Sequence, residues 1–550
     1  MPRAAAGLRA HAAPPASGDA SGGTFHPTGA ATDADAPRPP ASRARTHVLA
    51  SAAAGGALYA LGYVGFGLWP LLLVFLVPLW RALEASRATG SRIDALLAGA
   101  AFGLTAFVLG FEWLWQLFPI FLGRNATFAA VLWLGYGAWF AVGWVGYAAL
   151  FAALRDRGAP LALAGIAPLI VVEWLQPQIF TVNAGAGLIG APLLAQAADL
   201  GGPLLLSALV AAVNVAAYAA WGWWRGERAA PRPEGAAALL LLTAAIAYGA
   251  WRTTGVAARS AAAPALTVGV VQANLGVLEK RTQGIVSHER HLAQSRELLA
   301  QGPVDLLIWP ETAYVRGIRR PLPVSGRLVV DDLGVPLLFG GTSVGEEDGR
   351  RVKSNSAFLI GADGTIADAY DKNLLIPLAE YVPLGTVLPA LGELLPQVQD
   401  FTASEETPAL RLGAHRVATP ICYEAIRPDF VRRMMRASGA DLIVTLANDA
   451  WFGDSQEPWM HLALARLRAI EHRRWLVRAT NSGISALVDP TGAVVARTGV
   501  LERASLRGTV HAMDGTTIYG TLGDWPGWLA LLAVAGVLLV KAPAARTRTD

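Results

Sequence analysis

Between residues 47 and 251 the chain is a succession of long apolar runs with little charge inside them, and no other feature limits its fold as strongly. Seven runs stand out, at about 47–64, 66–80, 94–119, 125–153, 159–176, 201–224 and 235–251. All but the second are near the ~20 residues a helix needs to cross a bilayer. "LGYVGFGLWPLLL" joins the first two and blurs their boundary. A last run, "WPGWLALLAVAGVLLV" at 525–540, lies close to the C terminus. Backbone inside hydrocarbon must satisfy its own hydrogen bonds, so each run is expected to be a helix. Composition agrees: 53% of residues are hydrophobic and 16% charged, against about 25% charged in soluble domains.

The basic residues orient these spans. Arg43 and Arg45 precede the first, Arg81, Arg87 and Arg92 follow the second, and Arg155 and Arg157 follow the fourth. Arg225, Arg228 and Arg232 follow the sixth, and Lys541, Arg546 and Arg548 follow the last. The alternate loops hold only Arg124 after the third span, and no Lys or Arg between 177 and 200. The positive-inside rule then puts both termini in the cytoplasm and the long segment from about 252 to 524 on the opposite side.

That segment reads as an α/β domain. "ALTVGVVQAN" (265–274), "VDLLIWP" (304–310), "VPLLFGGTS" (335–343) and "ADLIVTLAN" (440–448) are short, β-branched-rich runs expected to be buried strands. "FLIGADGTIADAY" (358–370) and "ALVDPTGAVVAR" (486–497) read as hairpins with Gly-containing turns. In "EPWMHLALARLRAIEHRRW" (457–475), Met460, Leu464, Leu467 and Ile470 share a helix face, with Arg466, Arg468, Glu471 and Arg473 expected to turn away. Residues 1–46, rich in Ala, Pro, Gly, Ser and Thr, are expected to form a disordered cytoplasmic tail. The expected divisions are this tail, a membrane domain at 47–254, an extracytoplasmic domain at 262–513 and a C-terminal transmembrane helix at 525–541. A formal net charge of +4 and the lack of long basic runs give no nucleic-acid signature.

Three places could carry chemistry. "LLIWPETAY" sets Glu311 just past a strand, "DAYDKNLLIPLAEYVPLG" sets Lys372 after a hairpin with Glu380 eight positions on, and "RVATPICYE" sets Cys422 past another strand. Cys422 is the only cysteine, so no intramolecular disulfide can form. Singly, each residue has an ordinary explanation. A free Cys is commonly an inert buried thiol, Glu311 fits a helix N-terminus, and Lys372 fits a surface turn beside Asp371. Together they form a working set. A thiol needs a base or a cation to act as thiolate, a carboxylate is a base, and an ammonium stabilises both thiolate and oxyanion. A distant histidine could still meet Cys422 in space.

The set "WPET", "YDKNLLIPLAEYVPLG" and "ICYE", continued by "NDAWFGDSQEPWMHLALARLRAIEHRRWLVRATNSGISALVDPTG" (448–492), resembles the carbon–nitrogen hydrolase (nitrilase) superfamily. With spans on both sides, residues 47–540 resemble its membrane-embedded branch, the bacterial apolipoprotein N-acyltransferases. Ala379 departs from the pattern, standing where Gly is expected before "EYVP". The resemblance implies a polytopic α-helical membrane domain joined to an α-β-β-α sandwich. It implies Cys422 as nucleophile, Glu311 as general base and Lys372 as oxyanion-stabilising cation, with Glu380, Tyr423 and Glu424 in support. It implies a phospholipid donor, typically phosphatidylethanolamine, whose sn-1 acyl chain passes through a Cys422 thioester to the amine of a diacylglyceryl-cysteine apolipoprotein. No cofactor or metal is expected, and the protein is expected to act as a monomer in the bacterial inner membrane, catalytic domain periplasmic.

Two other readings stay open: a membrane-tethered amidase or nitrilase that passes the acyl group to water, and a transporter or receptor carrying a non-catalytic binding module. The apolar segment 382–401 is expected to be a lid or arm touching acyl chains, or else an ordinary packed helix. Glu112 and Glu173, each beside Trp, are expected to serve helix packing or the membrane interface. His288 and His291 are expected at the surface, with no third residue to complete a metal site.

Overall fold

The computed structural model describes residues 41–115, 117, 126–276, 284–347, 349–383, 398 and 400–540. The N-terminal unit 1–44 is described only at 41–44, which are helical. Helix α1 thus starts ahead of the expected 47, and the rest of the tail lies outside the described residues.

The apolar runs are helices: α1 (Ala41–Gly62), α2 (Leu76–Ala88), α3 (Arg92–Gly110), α4 (Ala126–Asp156), α5 (Leu161–Leu175), α6 (Ala198–Trp224) and α7 (Arg232–Ala262). A 3₁₀ turn, Trp69–Leu73, precedes α2. Among the described residues, five segments are long and apolar enough to cross a membrane: Trp69–Ala88, Arg92–Gly110, Ala129–Asp156, Ala198–Trp224 and Arg232–Ala262. Within the third run α3 ends at Gly110, and after a turn Leu114, Trp115 and Leu117 are helical again.

Small residues and polar patches hold the bundle together. A Cβ on Gly99 would come within 2.4 Å of the Trp144 carbonyl oxygen, so glycine is what lets α3 and α4 approach so closely. Between the 3₁₀ turn and α2 the backbone ladder breaks, and buried Asn214 repairs it. Its Oδ1 accepts from the Leu76 amide (2.9 Å) and its Nδ2 donates to the Leu72 carbonyl (2.8 Å). Glu173 accepts from the Ala184 amide (2.8 Å) and Asn183 Nδ2 (3.3 Å), tying α5 to the loop that follows it, which is the packing role expected of it.

The rest of the chain is β1 (Ala265–Gln272), α8 (Gly284–Leu299), β2 (Leu306–Ile308), β3 (Tyr314–Arg319), β4 (Leu337–Glu347), β5 (Arg350–Ile360), β6 (Ile366–Asp371), β7 (Leu410–Leu412), β8 (His415–Ala418), α9 (Pro428–Ser438), β9 (Leu442–Ala447), α10 (Glu457–His472), β10 (Leu476–Thr480), β11 (Ala486–Val488), β12 (Val494–Arg497), β13 (Ala504–His511) and α11 (Trp525–Leu539). One sheet runs β13-β1-β2-β4-β5-β6, with β3 also paired to β4; the other runs β12-β11-β10-β9-β8-β7. Both expected hairpins are present, as β5–β6 and β11–β12.

Alternation within strands builds three layers of packing. Leu306 and Ile308 of β2 enter the core between the sheets, with Leu442, Val444 and Val477 opposite. Leu307 and Trp309 point the other way, onto Leu292 and Leu298 of α8. On the far side Phe430, Val431 and Met434 of α9 and Ala465 and Ala469 of α10 cover the second sheet. The result is the expected α-β-β-α sandwich.

Two surface assignments are corrected. His291 is fully buried, its ring 5.2 Å from Trp309 and its Nδ1 2.7 Å from the Ser287 carbonyl. The face of α8 that carries it packs on the sheet. On α10, Arg468, Glu471 and Arg473 are buried and Arg466 half-buried, because the membrane domain covers the side opposite the sheet. Arg473 reaches Asp199 of α6 (2.8 Å) and Gln196 Oε1 (2.6 Å), and Arg468 pairs with Glu471. A guanidinium buried this way needs its carboxylate partner.

Candidate active site

The first sheet delivers a carboxylate and an ammonium. Glu311 follows β2 across Trp309 and Pro310, and Lys372 follows the last residue of β6. On the neighbouring strand β5, Asn355 fixes both. Its carbonyl accepts from the Lys372 amide (2.8 Å), and its Nδ2 donates to Glu311 Oε1 (2.7 Å) and Glu380 Oε1 (2.9 Å). Lys372 Nζ lies 2.9 Å from Glu380 Oε1 and 3.5 Å from Glu311 Oε1, with its side chain 1% exposed. Burial alone would lower the lysine's pKa, but Glu380 and Glu311 outweigh it and hold the ammonium charged.

The second sheet delivers the thiol. Past β8, Ile421 bridges to Leu446 of β9, and the chain turns sharply into a 3₁₀ turn at Cys422–Ile426. Cys422 itself takes φ 51°, a left-handed conformation costing roughly 1–3 kcal/mol for a non-glycine residue. The turn is secured from behind. Glu424 accepts from the amides of Ile421 (2.8 Å), Asn373 (2.7 Å) and Leu374 (3.0 Å) and from the Tyr370 hydroxyl (2.8 Å), so one carboxylate pins the Cys422 turn to the loop after Lys372. Burial pushes Glu424 up to about 7, against the pull of Lys372 and these donors. Burial and Glu311 push the Cys422 thiol well above its ordinary value, with Lys372 pulling it down. A thiol so placed needs a base to take its proton as it attacks.

Asn355, Asn448, Asp449 and His461 were not among the residues singled out in the sequence. His461 is the histidine that meets Cys422 in space, through its backbone. The ring's Nε2 lies 3.2 Å from the Cys422 carbonyl oxygen and its Nδ1 3.1 Å from Asp449 Oδ1. Arg478 donates to Asp449 Oδ2 (2.7 Å). Burial would raise Asp449, but Arg478 and His461 bring it down to about 2. Donor atoms of Cys422, Asp449 and His461 lie within 4.8 Å of one another, a spacing that could hold a metal. Their hydrogen bonds brace the backbone at Cys422. The periodic signal of α10 concealed His461, because it is a polar residue on a face that reads as core.

Of the supporting residues, Glu380 touches Lys372, Glu424 acts through backbone amides, and Tyr423 turns toward the membrane domain. The Tyr423 hydroxyl accepts from Arg427 (2.8 Å) and its ring meets Phe180 at 6.3 Å. Ala379 meets no backbone penalty, because the left-handed residue of its loop is Leu378 (φ 65°). The proposed arm at 382–401 lies almost wholly outside the described residues.

Glu311, Lys372, Glu380 and Cys422 open on a cavity of about 1260 Å³. The membrane domain supplies part of its wall through Leu114, Val131, Tyr136 and Phe180, so apolar helices and reacting groups share one chamber. A second cavity of about 850 Å³ borders it at Tyr136, Ile179, Pro377 and Phe401.

The position of Glu311 depends on Gly340 of β4. A Cβ there would lie 2.5 Å from Glu311 Cα and 2.8 Å from the Pro310 carbonyl oxygen. Gly340→Ala is expected to shift Glu311 and cut turnover that depends on it by about 100-fold, the cost of a displacement near 1 Å. Turnover, read with a melting curve showing the protein still folded, checks this.

Residues 267–511 match the carbon-nitrogen hydrolase family, and residues 55–216 match the apolipoprotein N-acyltransferase N-terminal domain. The chain is 32% identical over 518 residues to apolipoprotein N-acyltransferase of Pseudomonas aeruginosa, covering 90% of this chain and 95% of that protein. It is 34% identical over 366 residues to the protein of the same name from Geobacter metallireducens, covering 65% of this chain and 68% of that one. Among solved structures it is similar to Saccharomyces cerevisiae Nit3, a nitrilase-superfamily member, at 16% identity and TM-score 0.36, over 45% of this chain and 90% of that one. Its two matched regions and its near full-length likeness to the Pseudomonas protein show that the chain belongs to the apolipoprotein N-acyltransferase family.

Proposed function

We propose that this protein moves an acyl chain from the sn-1 position of a phospholipid, phosphatidylethanolamine foremost, to the N-terminal amine of a diacylglyceryl-cysteine lipoprotein, through a thioester on Cys422. The observation that carries this reading is the convergence of Glu311, Lys372 and Cys422 on a cavity walled in part by apolar helices. Both substrates keep their chains in the bilayer, and a site open to membrane helices avoids exposing them at about 0.8 kcal/mol per CH₂.

In the first half-reaction, Cys422 Sγ attacks the ester carbonyl as Glu311 takes the thiol proton. Charge grows on the carbonyl oxygen, and the Lys372 ammonium stabilises it. The C–O bond breaks, Glu311 protonates the departing lysophospholipid hydroxyl, and the thioester remains. In the second, the lipoprotein amine attacks the thioester, Glu311 accepts its proton, and Cys422 leaves and is reprotonated. The product is an amide, and water must be kept from the thioester in between. Protein incubated with phospholipid and a diacylated lipopeptide bearing a free amine is expected to give the N-acylated peptide by mass spectrometry. Free fatty acid alone would favour the amidase reading.

The arginine pattern supports an inner-membrane protein with cytoplasmic termini and a periplasmic catalytic domain. In a Cys422→Ser background, Asp363→Cys in the exposed β5–β6 turn is expected to react with an impermeant maleimide in intact spheroplasts, and Arg548→Cys only after lysis. The reverse pattern would invert the orientation.

A further inference from the structure

The wall that leads away from the reacting groups carries a second chemistry. β4 and β5 are 11 residues long, while β8 and β9 of the facing sheet have 4 and 6. Their inner faces therefore continue past the sandwich and into the cavity. On β5 this face reads Leu359 and Ala357 in the core, Asn355 on Glu311, then Lys353 and Arg351. Register places Val344 of β4 opposite both Arg319 of β3 and Lys353, so the two cations flank Val344 across three adjacent strands. Arg351 lies two residues further out, roughly 7 Å along the strand.

Arg319, Arg351 and Lys353 all line the cavity. Among the described residues of the lining, Lys372 is matched by Glu311 and Glu380, and Asp400 is the one further carboxylate beside Arg319 and Arg351. Glu346 stands opposite Arg351 in register, yet among the described residues neither Arg319 nor Arg351 forms an ion pair. The contrast is Arg320, which donates to both oxygens of Asp371 at 2.7 Å. The Lys353 ammonium sits 4.7 Å from the centroid of the Phe401 ring.

We propose that Arg319, Arg351 and Lys353 form the phosphate subsite for the donor phospholipid, gripping its phosphodiester while the sn-1 ester reaches Cys422. This rests on the acyl-transfer reading above and adds how the donor's head is recognised. A phosphodiester is anionic throughout the working pH range, and guanidinium groups match its oxygens in a two-point fork. It lies only a few bonds from the sn-1 ester. The strip begins one inward-facing position beyond Asn355, so the spacing of the cations from the triad suits that short tether.

The test uses full-length protein in detergent micelles with two acyl donors of equal chain length. One is phosphatidylethanolamine; the other is a p-nitrophenyl ester, which has no phosphate. The variant Arg319→Gln/Arg351→Gln/Lys353→Gln is expected to lose about 10- to 100-fold in kcat/KM with the phospholipid, mostly through KM. Its loss with the p-nitrophenyl ester is expected to be at least tenfold smaller. Equal losses with both donors, or none with either, would overturn the subsite. A loss confined to aminolysis of the thioester by a diacylated lipopeptide would assign the strip to the acceptor and overturn it too. Wild-type protein acylated by neither donor would instead overturn the acyl-transfer reading.

Discussion

Cys422→Ser is expected to leave a folded protein that transfers no measurable acyl chain, with turnover down at least about 10⁴-fold. The loss follows from what the site supplies. In the proposed reaction Glu311 and Lys372 act on a thiol whose pKa burial has raised. A serine hydroxyl ionises far less readily still, and any ester it formed would resist the amine. The fold has little stake in the sulfur. Cys422 is a buried free thiol making up a small part of the core between the sheets, and Cys422→Ala is expected to change stability by about 1 kcal/mol. Turnover by either variant within tenfold of wild type would remove Cys422 from the reaction.

The second large effect is that of Lys372→Met, which acts on catalysis and stability together. The lysine lies between two buried carboxylates that share the Asn355 amide, so its removal leaves Glu311 and Glu380 facing each other without a cation. Breaking such a pair costs about 3–5 kcal/mol, and losing the oxyanion's partner is expected to slow acylation by about 10²–10³-fold. Adding Glu380→Gln removes one of the opposed charges and is expected to recover much of the stability and none of the rate. Denaturant unfolding, paired with single-turnover acylation, checks both halves. Recovery of activity along with stability would make Lys372 a structural cation only.

Much of this was legible in the sequence, for reasons that differ by element. The membrane helices announce themselves because a bilayer imposes both length and apolarity, and α4, α6 and α7 fall where the runs do. The strands β1, β2, β4 and β9 were visible as short β-branched runs bounded by turn residues. Glu311, Lys372 and Cys422 stood out because each lies just past a strand and because the surrounding motifs are distinctive. What could not be read was contact across the fold. The buried face of α10 looked solvent-exposed, since nothing local shows that Asp199 of a membrane helix waits for Arg473. Asn355 looked like one polar residue in a strand, and only the pairing of β5 with β6, together with its reach past β4 to the residue beyond β2, makes it the link between Glu311, Glu380 and Lys372. Its parity, shared with Lys353 and Arg351, also turns an unremarkable "RRVKSN" into a charged wall.

In the proposed reaction Cys422 carries the acyl chain between two lipid substrates. The intact mass of the purified protein after incubation with phosphatidylethanolamine alone tests this. A mass gain of one acyl chain on Cys422 is expected, absent from Cys422→Ser, released by hydroxylamine, and passed to the amine when a diacylated lipopeptide is added. A wild-type mass unchanged under conditions where the lipopeptide is nonetheless N-acylated would contradict it.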